Sequence, residues 1–143
     1  MTSQARINVQ TRRVKVAIVG GGFGGLCMAI KLREAGIDDF VLLEKGRDVG
    51  GTWNHNSYPG AACDVQSHMY SFSFEGNPDW SHRYSGQQEI HNYIAGVTDK
   101  HGIRPFTRFN AEVTGAHFDD QAALWTLDLA DGSQVICQHW VLA

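Results

Sequence analysis

Two runs near the start of the chain, Val16-Ala17-Ile18-Val19 and Phe40-Val41-Leu42-Leu43, are apolar at every position. That is the pattern of parallel strands covered on both faces. Between them the pattern changes to helical spacing: Leu26, Ala29, Ile30 and Arg33 line one face of a helix expected from about Gly22 to Ala35, with Gly36 as its stop. From Lys45 to Trp80 neither period is sustained, and the stretch is rich in glycine, aromatic and polar residues. Structureless segments of that length are uncommon inside compact domains and are usually functional. Helical spacing returns with Ile90, Tyr93, Ile94 and Val97, predicting a helix from Gly86 to about His101 with Ser85 as N-cap.

After Pro105 the chain reads as short strands: Phe106–Phe118 with a break inside it, Leu124–Leu129 and Gln134–Ile136. Asp119-Asp120 and Asp131-Gly132 supply the turns of a small antiparallel meander. His139–Ala143 reads as the start of a further apolar strand. The expectation is therefore an α/β chain: a Rossmann-like parallel sheet with an antiparallel β-meander, incomplete because it ends as a strand begins. Residues 1–13 are expected to be a flexible leader, and 14–143 the N-terminal part of a dinucleotide-binding domain.

The junction between the first strand and helix carries the chemistry. Gly20, Gly22 and Gly25 stand at G-x-G-x-x-G spacing, and nineteen residues later the second strand closes on Glu44. Gly20 permits a tight turn, Gly22 permits close approach of a pyrophosphate, and Gly25 permits close packing of helix on sheet. The helix N-terminus offers free N–H groups and partial positive charge to phosphates. Glu44 can accept hydrogen bonds from a ribose diol and would repel a 2′-phosphate. The motif fits NAD or FAD. A second glycine pair, Gly50-Gly51, followed by Thr52-Trp53, favours the longer ligand with a flat isoalloxazine ring.

Composition narrows the partners. The formal net charge of −3 over 143 residues and a sequence pI near 6.1 give no electrostatic case for nucleic acid or an anionic membrane. The longest uncharged stretch, between Lys15 and Lys31, is shorter than the roughly 20 apolar residues of a membrane span. Three scattered cysteines, Cys27, Cys63 and Cys137, suit a reducing compartment, so a cytoplasmic location is expected. The seven histidines show no metal-ligand spacing with each other or with cysteine.

A resemblance extends this picture. Gly50-Gly51-Thr52-Trp53, Tyr58-Pro59-Gly60-Ala61-Ala62-Cys63-Asp64-Val65 and Ser67–Phe74 resemble the class B flavin monooxygenases. Within that class they are most similar to the Baeyer–Villiger monooxygenases, including the aryl-ketone (4-hydroxyacetophenone) type. Asn77-Pro78-Asp79-Trp80-Ser81, Arg83-Tyr84-Ser85 and Glu112-Val113-Thr114 fit the same family. The resemblance implies FAD held by Gly20, Gly22 and Gly25 at the pyrophosphate and by Glu44 at the ribose. It implies Gly51, Thr52 and Trp53 on the flavin side, Tyr70 in contact with FAD, and Val113 at the adenine end through its backbone. Asp64 matches an acid that sits by the flavin and a catalytic arginine from later sequence.

The implied parent enzyme uses NADPH and O2 to insert one oxygen atom into a small-molecule ketone. NADPH would be bound mainly by sequence this chain lacks, since there is no second G-x-G-x-x-G and no F-x-G-x-x-x-H motif. The 143 residues alone are therefore not expected to catalyse the reaction without the remainder of the parent enzyme. Two alternatives stay open: a related flavin enzyme oxidising nitrogen or sulfur, and a non-catalytic fragment that binds FAD or ADP.

Overall fold

The computed structural model describes residues 10–143. One six-stranded sheet organises it, in the order β3-β2-β1-β6-β5-β4. Strand β1 (Thr11–Val19) pairs in parallel with β2 (Phe40–Leu43), in a register that sets Val16 against Phe40 and Val19 against Leu43. A two-residue strand, β3 (Thr107–Arg108), continues the parallel half beyond β2. Strands β4 (Val113–Asp119), β5 (Leu124–Leu129) and β6 (Gln134–Leu142) form the antiparallel half, and β6 also pairs in parallel with nearly the whole of β1. Helix α1 (Phe23–Glu34) crosses from β1 to β2, and α3 (Gln87–Lys100) packs on the same layer. Between them lie the four-residue α2 (Thr52–His55) and a 3-10 turn at Ser67–Met69.

Alternation along β1 sorts its side chains into two cores. Val16 and Ile18 join Leu26 and Ile30 of α1, Phe40 and Leu42 of β2, and Ile90 and Ile94 of α3. Ala17 faces the other way and, with Val14 nearer the start of the strand, joins Val41 and Leu43 of β2 and Leu127, Val135 and Cys137 of the antiparallel half. Burying one large aliphatic side chain contributes about 1.5–3 kcal/mol. A strand covered on both faces thus stabilises the fold at every position, which is why these runs contain no polar residue.

Both long helices end in the same way. In α1, the Gly36 N–H donates to the Arg33 carbonyl and the Ile37 N–H to the Leu32 carbonyl, with Gly36 at φ +74°. In α3, Gly102 (φ +63°) and Ile103 repeat the pattern onto Asp99 and Thr98. These are Schellman motifs, and only a residue free to take positive φ closes them without strain. Arg33 is exposed rather than part of the buried face of α1. Its guanidinium reaches across to cap α3, donating to the carbonyls of His101 (2.8 Å) and Gly102 (3.2 Å).

The structure revises four further expectations. Strand β1 begins at Thr11, so Thr11–Arg13 of the expected leader pair with Gln134–Ile136 in the sheet; residues 1–9 of that leader lie outside the described residues. Gln134–Ile136 and His139–Ala143 are not two strands, since β6 runs unbroken from Gln134 to Leu142. Its first half closes the meander against β5 and its whole length serves β1. The N-cap of α3 is Gly86. Ser85 is instead buried, its hydroxyl 2.7 Å from that of Ser67, which in turn donates to the carbonyl of His82 (2.7 Å). Finally, the unpatterned segment after Glu44 sends Val49, Trp53, Cys63 and Phe72 into the core, with their large spacing dictated by where the chain touches α1 and α3. Among the described residues no helix is long and apolar enough to cross a membrane.

Candidate dinucleotide-binding cleft

Three strands end side by side: β1 at Val19-Gly20, β2 at Leu43-Glu44 and β6 at Leu142-Ala143. The Gly20 N–H donates to the Leu43 carbonyl (2.9 Å) and the Ala143 N–H to the Val19 carbonyl (2.9 Å). In open α/β sheets, ligands bind beyond the carboxyl ends of the strands. A cleft of about 720 Å³ opens there, within the range of small-molecule sites.

The glycines along its floor have distinct geometric reasons. Gly20 sits at φ +109°, and a Cβ on it would overlap the Ala143 carbonyl oxygen. A Cβ on Gly25 would overlap the Gly20 carbonyl oxygen, because α1 rests directly on the turn that precedes it. Gly22 is different: a Cβ there would meet only the Gly51 Cα, at 3.7 Å. Its missing side chain therefore leaves space in the cleft and does not relieve a clash. From Gly22 onward the first N–H groups of α1 have no intrahelical acceptor, and no acidic side chain stands in that first turn. An anion is the natural occupant.

Glu44 is buried at 3% exposure and held from both sides. Its carboxylate accepts the Gly21 N–H (2.6 Å) through one oxygen and the Gly46 N–H (2.6 Å) through the other. Its own backbone joins Arg108 of β3 (3.0 Å) and Ala111 (2.9 Å). A carboxylate has about four acceptor sites, so two N–H donors leave capacity for a diol. His55 Nε2 stands 3.5 Å from the same carboxylate.

The second glycine pair closes on the first. The Gly50 N–H donates to the Gly21 carbonyl (2.8 Å), with Gly50 at φ +122° and Gly51 at φ +52°. Helix α2 follows at once. Trp53 is buried, and its indole N–H donates to the Tyr70 hydroxyl (3.1 Å), with the two rings edge to face at 5.7 Å. Gln87 of α3 donates to the Trp53 carbonyl. Behind this turn Asp48 accepts from Arg104 Nη1 (2.8 Å) and from the Val49 N–H (2.8 Å). Burial pushes the Asp48 carboxyl up, but Arg104, the Val49 N–H and the charge of His91 outweigh it and hold it below its ordinary range.

Gly20, Gly22, Glu44, Gly51, Thr52, Trp53, Tyr70 and Val113 all line this one cleft. Gly25 does not line it; it lies within α1, at the point where the helix rests on the Gly20 turn. Asp64 does not line it; the side chain is exposed on the bend after buried Cys63. Sequence reasoning missed His55, Asn56 and Glu112, which also border the cleft. His55 and Asn56 carry no signal in the sequence, because α2 is too short to show a period; Glu112 directly precedes β4, outside any helix. Cys27, Cys63 and Cys137 are free, and burial raises the Cys137 thiol. Among the described residues no group of three His, Cys, Asp or Glu could hold a metal ion.

Comparison with known proteins agrees with this architecture. Residues 18–86 match the family model described as an NAD(P)-binding Rossmann-like domain. A Baeyer–Villiger monooxygenase of Streptomyces coelicolor is 50% identical over 120 residues, which is 84% of this chain and 23% of that protein. The chain is homologous to the N-terminal portion of the Baeyer–Villiger class of flavin monooxygenases. An FAD-binding monooxygenase of Aspergillus niger is 47% identical over 119 residues, 82% of this chain and 20% of that protein. The crystal structure of cyclohexanone monooxygenase from Rhodococcus sp. Phi1 bound to NADP+ superposes with a TM-score of 0.87 at 34% identity, over 94% of this chain and 26% of that one. The chain thus spans about a quarter of the length of its Baeyer–Villiger relatives. Its Rossmann-like fold, with parallel and antiparallel halves, is the one they share.

Proposed function

We propose that the cleft holds FAD, and that the chain is the FAD-binding portion of an NADPH-dependent monooxygenase inserting one oxygen atom into ketones. The observation that carries this is the union of both glycine turns, Glu44 and the Trp53–Tyr70 pair around one continuous cleft. A site for ADP alone would need only the first turn and the acid. The residues present fit the group: open space at Gly22, free N–H groups at the start of α1, an acceptor at one end and aromatic surface at the other.

In this assignment Gly20, Gly22 and the first turn of α1 receive the pyrophosphate, while Glu44 accepts from the ribose diol and Val113 meets the adenine end through its backbone. Gly51, Thr52, Trp53 and Tyr70 border the flavin. Gly25 contributes by keeping α1 against the turn. When bound, FAD supplies the redox and oxygen-transfer chemistry. This chain binds, orients and dries one wall of the site. Asp64 is assigned a supporting electrostatic role; exposed as it is here, it acts only together with groups from the rest of a protein of the relatives' length. NADPH, the ketone and O2 are likewise met mainly by that remainder.

The test is direct. The purified chain, mixed with FAD and desalted, should emerge yellow, with the flavin absorption band retained in proportion to protein. A cooperatively folded but colourless chain that leaves flavin fluorescence unquenched would overturn the FAD assignment. For the protein at its relatives' full length, ester or lactone formation from a ketone panel distinguishes ketone oxygenation from oxidation of amines or sulfides.

A further inference from the structure

The Gly50–Gly51 turn is not secured by regular structure. It precedes a helix of only four residues, and residues 45–51 belong to no strand. Its backbone bonds run to Gly21 and forward into the first turn of α2, and the stretch that leads into it is backed by side chains that lie outside the cleft. His91 of α3 is the nearest. Its Nε2 lies 3.1 Å from the Val49 carbonyl, and a carbonyl can only accept, so Nε2 carries the proton. The same ring stands against Gly50, where a Cβ would come within 2.8 Å of the His91 Cδ2. Its Nε2 is also 3.7 Å from Asp48.

Asp48 in turn is bound by Arg104, in the short helical turn just before β3, and Arg104 is tied back to Asp99 of α3 through its Nε. The Asp48 carbonyl accepts from the Asn54 side chain (3.0 Å), which joins the far end of the turn to the same brace. None of Asp48, His91 and Arg104 lines the cleft.

On the reading that the cleft binds FAD, we infer that His91 and Arg104 are positioning residues that hold the Gly50–Gly51 turn in register with the Gly20–Gly25 turn and so select the full dinucleotide over its ADP half. The geometry is asymmetric. Glu44, Gly20 and the start of α1 are fixed by strand and helix backbone, so the ADP half of the site does not depend on the brace. The half beyond Gly51 does, because Thr52 and Trp53 follow the turn directly.

The experiment compares FAD and ADP as separate probes on the same 143-residue chain, by calorimetry or flavin fluorescence. His91→Leu removes the donor to Val49 and leaves a buried carbonyl unpaired, and Arg104→Met removes the charge and the guanidinium that joins Asp48 to Asp99. Each should weaken FAD by about tenfold or more, while ADP affinity changes less than about twofold. His91→Gln, which can still donate to the Val49 carbonyl, should retain FAD affinity within about threefold and serves if the leucine variant fails to fold. Arg104→Lys keeps the charge without the planar fork and should fall between. Equal losses for FAD and ADP, or FAD binding unchanged in both His91→Leu and Arg104→Met, would overturn the inference while leaving the cleft assignment intact. Failure of the unaltered chain to bind either probe would remove the cleft assignment and the inference together.

Discussion

The two glycine turns of the cleft do similar work by different means. The first, Gly20 to Gly25, lies between β1 and α1 and is held by backbone: strand pairing on one side and helix hydrogen bonds on the other. The second, Gly50-Gly51, has one backbone bond to the first turn, and the residues leading into it are held by the side chains of Asp48, Asn54 and His91, the last from a helix about forty residues away. A turn held by backbone tolerates most side-chain changes nearby but no added Cβ where packing is closed. A turn held by side chains can be loosened from a distance without disturbing the sheet. Robustness and adjustability are thus divided between the two halves of one site.

The sharpest test of this division is Gly25→Ala. Its Cβ would overlap a backbone oxygen that cannot move without displacing β1 or α1, so destabilisation of about 4 kcal/mol or more is expected from urea midpoints. Gly22→Ala should behave in the opposite sense. With open space around it, the fold should lose less than about 1 kcal/mol, yet the methyl occupies the phosphate approach, and affinity for both FAD and ADP should drop by about tenfold or more. If Gly22→Ala unfolded the chain, or Gly25→Ala left it intact, the distinction between packing glycine and approach glycine would fail.

The smallest expected effect lies in the second turn. The Asp48 carboxyl is held below its ordinary range, so its ionised form is favoured in the folded state. That stabilisation is fully present above the ordinary carboxylate value of about 3.9 and disappears as pH falls through the lower folded value. Asp48→Asn should therefore cost under about 1 kcal/mol at pH 7 and nothing measurable once the wild-type carboxyl is protonated. A stability difference that persisted undiminished into strong acid would show that packing, not charge, ties Asp48 to Arg104.

Much of the parallel half was legible because its signals are local. Val16–Val19, the glycine spacing, the Leu26-Ala29-Ile30 face and Glu44 all lie within thirty residues and follow strand or helix periods. The antiparallel half was legible only in part. Between Ile136 and Trp140 the buried Cys137 is followed by exposed Gln138 and His139, which breaks the apolar run and disguises one strand as two. Continuity of β6 is decided by β1, more than a hundred residues earlier, which offers pairing along its whole length. Ser85 was misread for a similar reason: a serine before a helix resembles a cap, but here the hydroxyl finds Ser67, brought close by tertiary folding.

By itself the sequence determined the first β-α-β unit, with its glycine turn and the acid that closes it, because glycine spacing and strand alternation act within one such unit. Its motifs also marked Gly51, Thr52, Trp53, Tyr70 and Val113 as companions. Only the tertiary structure decided that these residues surround a single cleft, that Gly50 is bonded to Gly21, that His91 and Arg104 stand behind the second turn, and that Asp64 lies outside the lining. The reason is physical: the segment from Lys45 to Trp80 has no period of its own, so its path is set by contacts with α1 and α3 and not by any preference written within it.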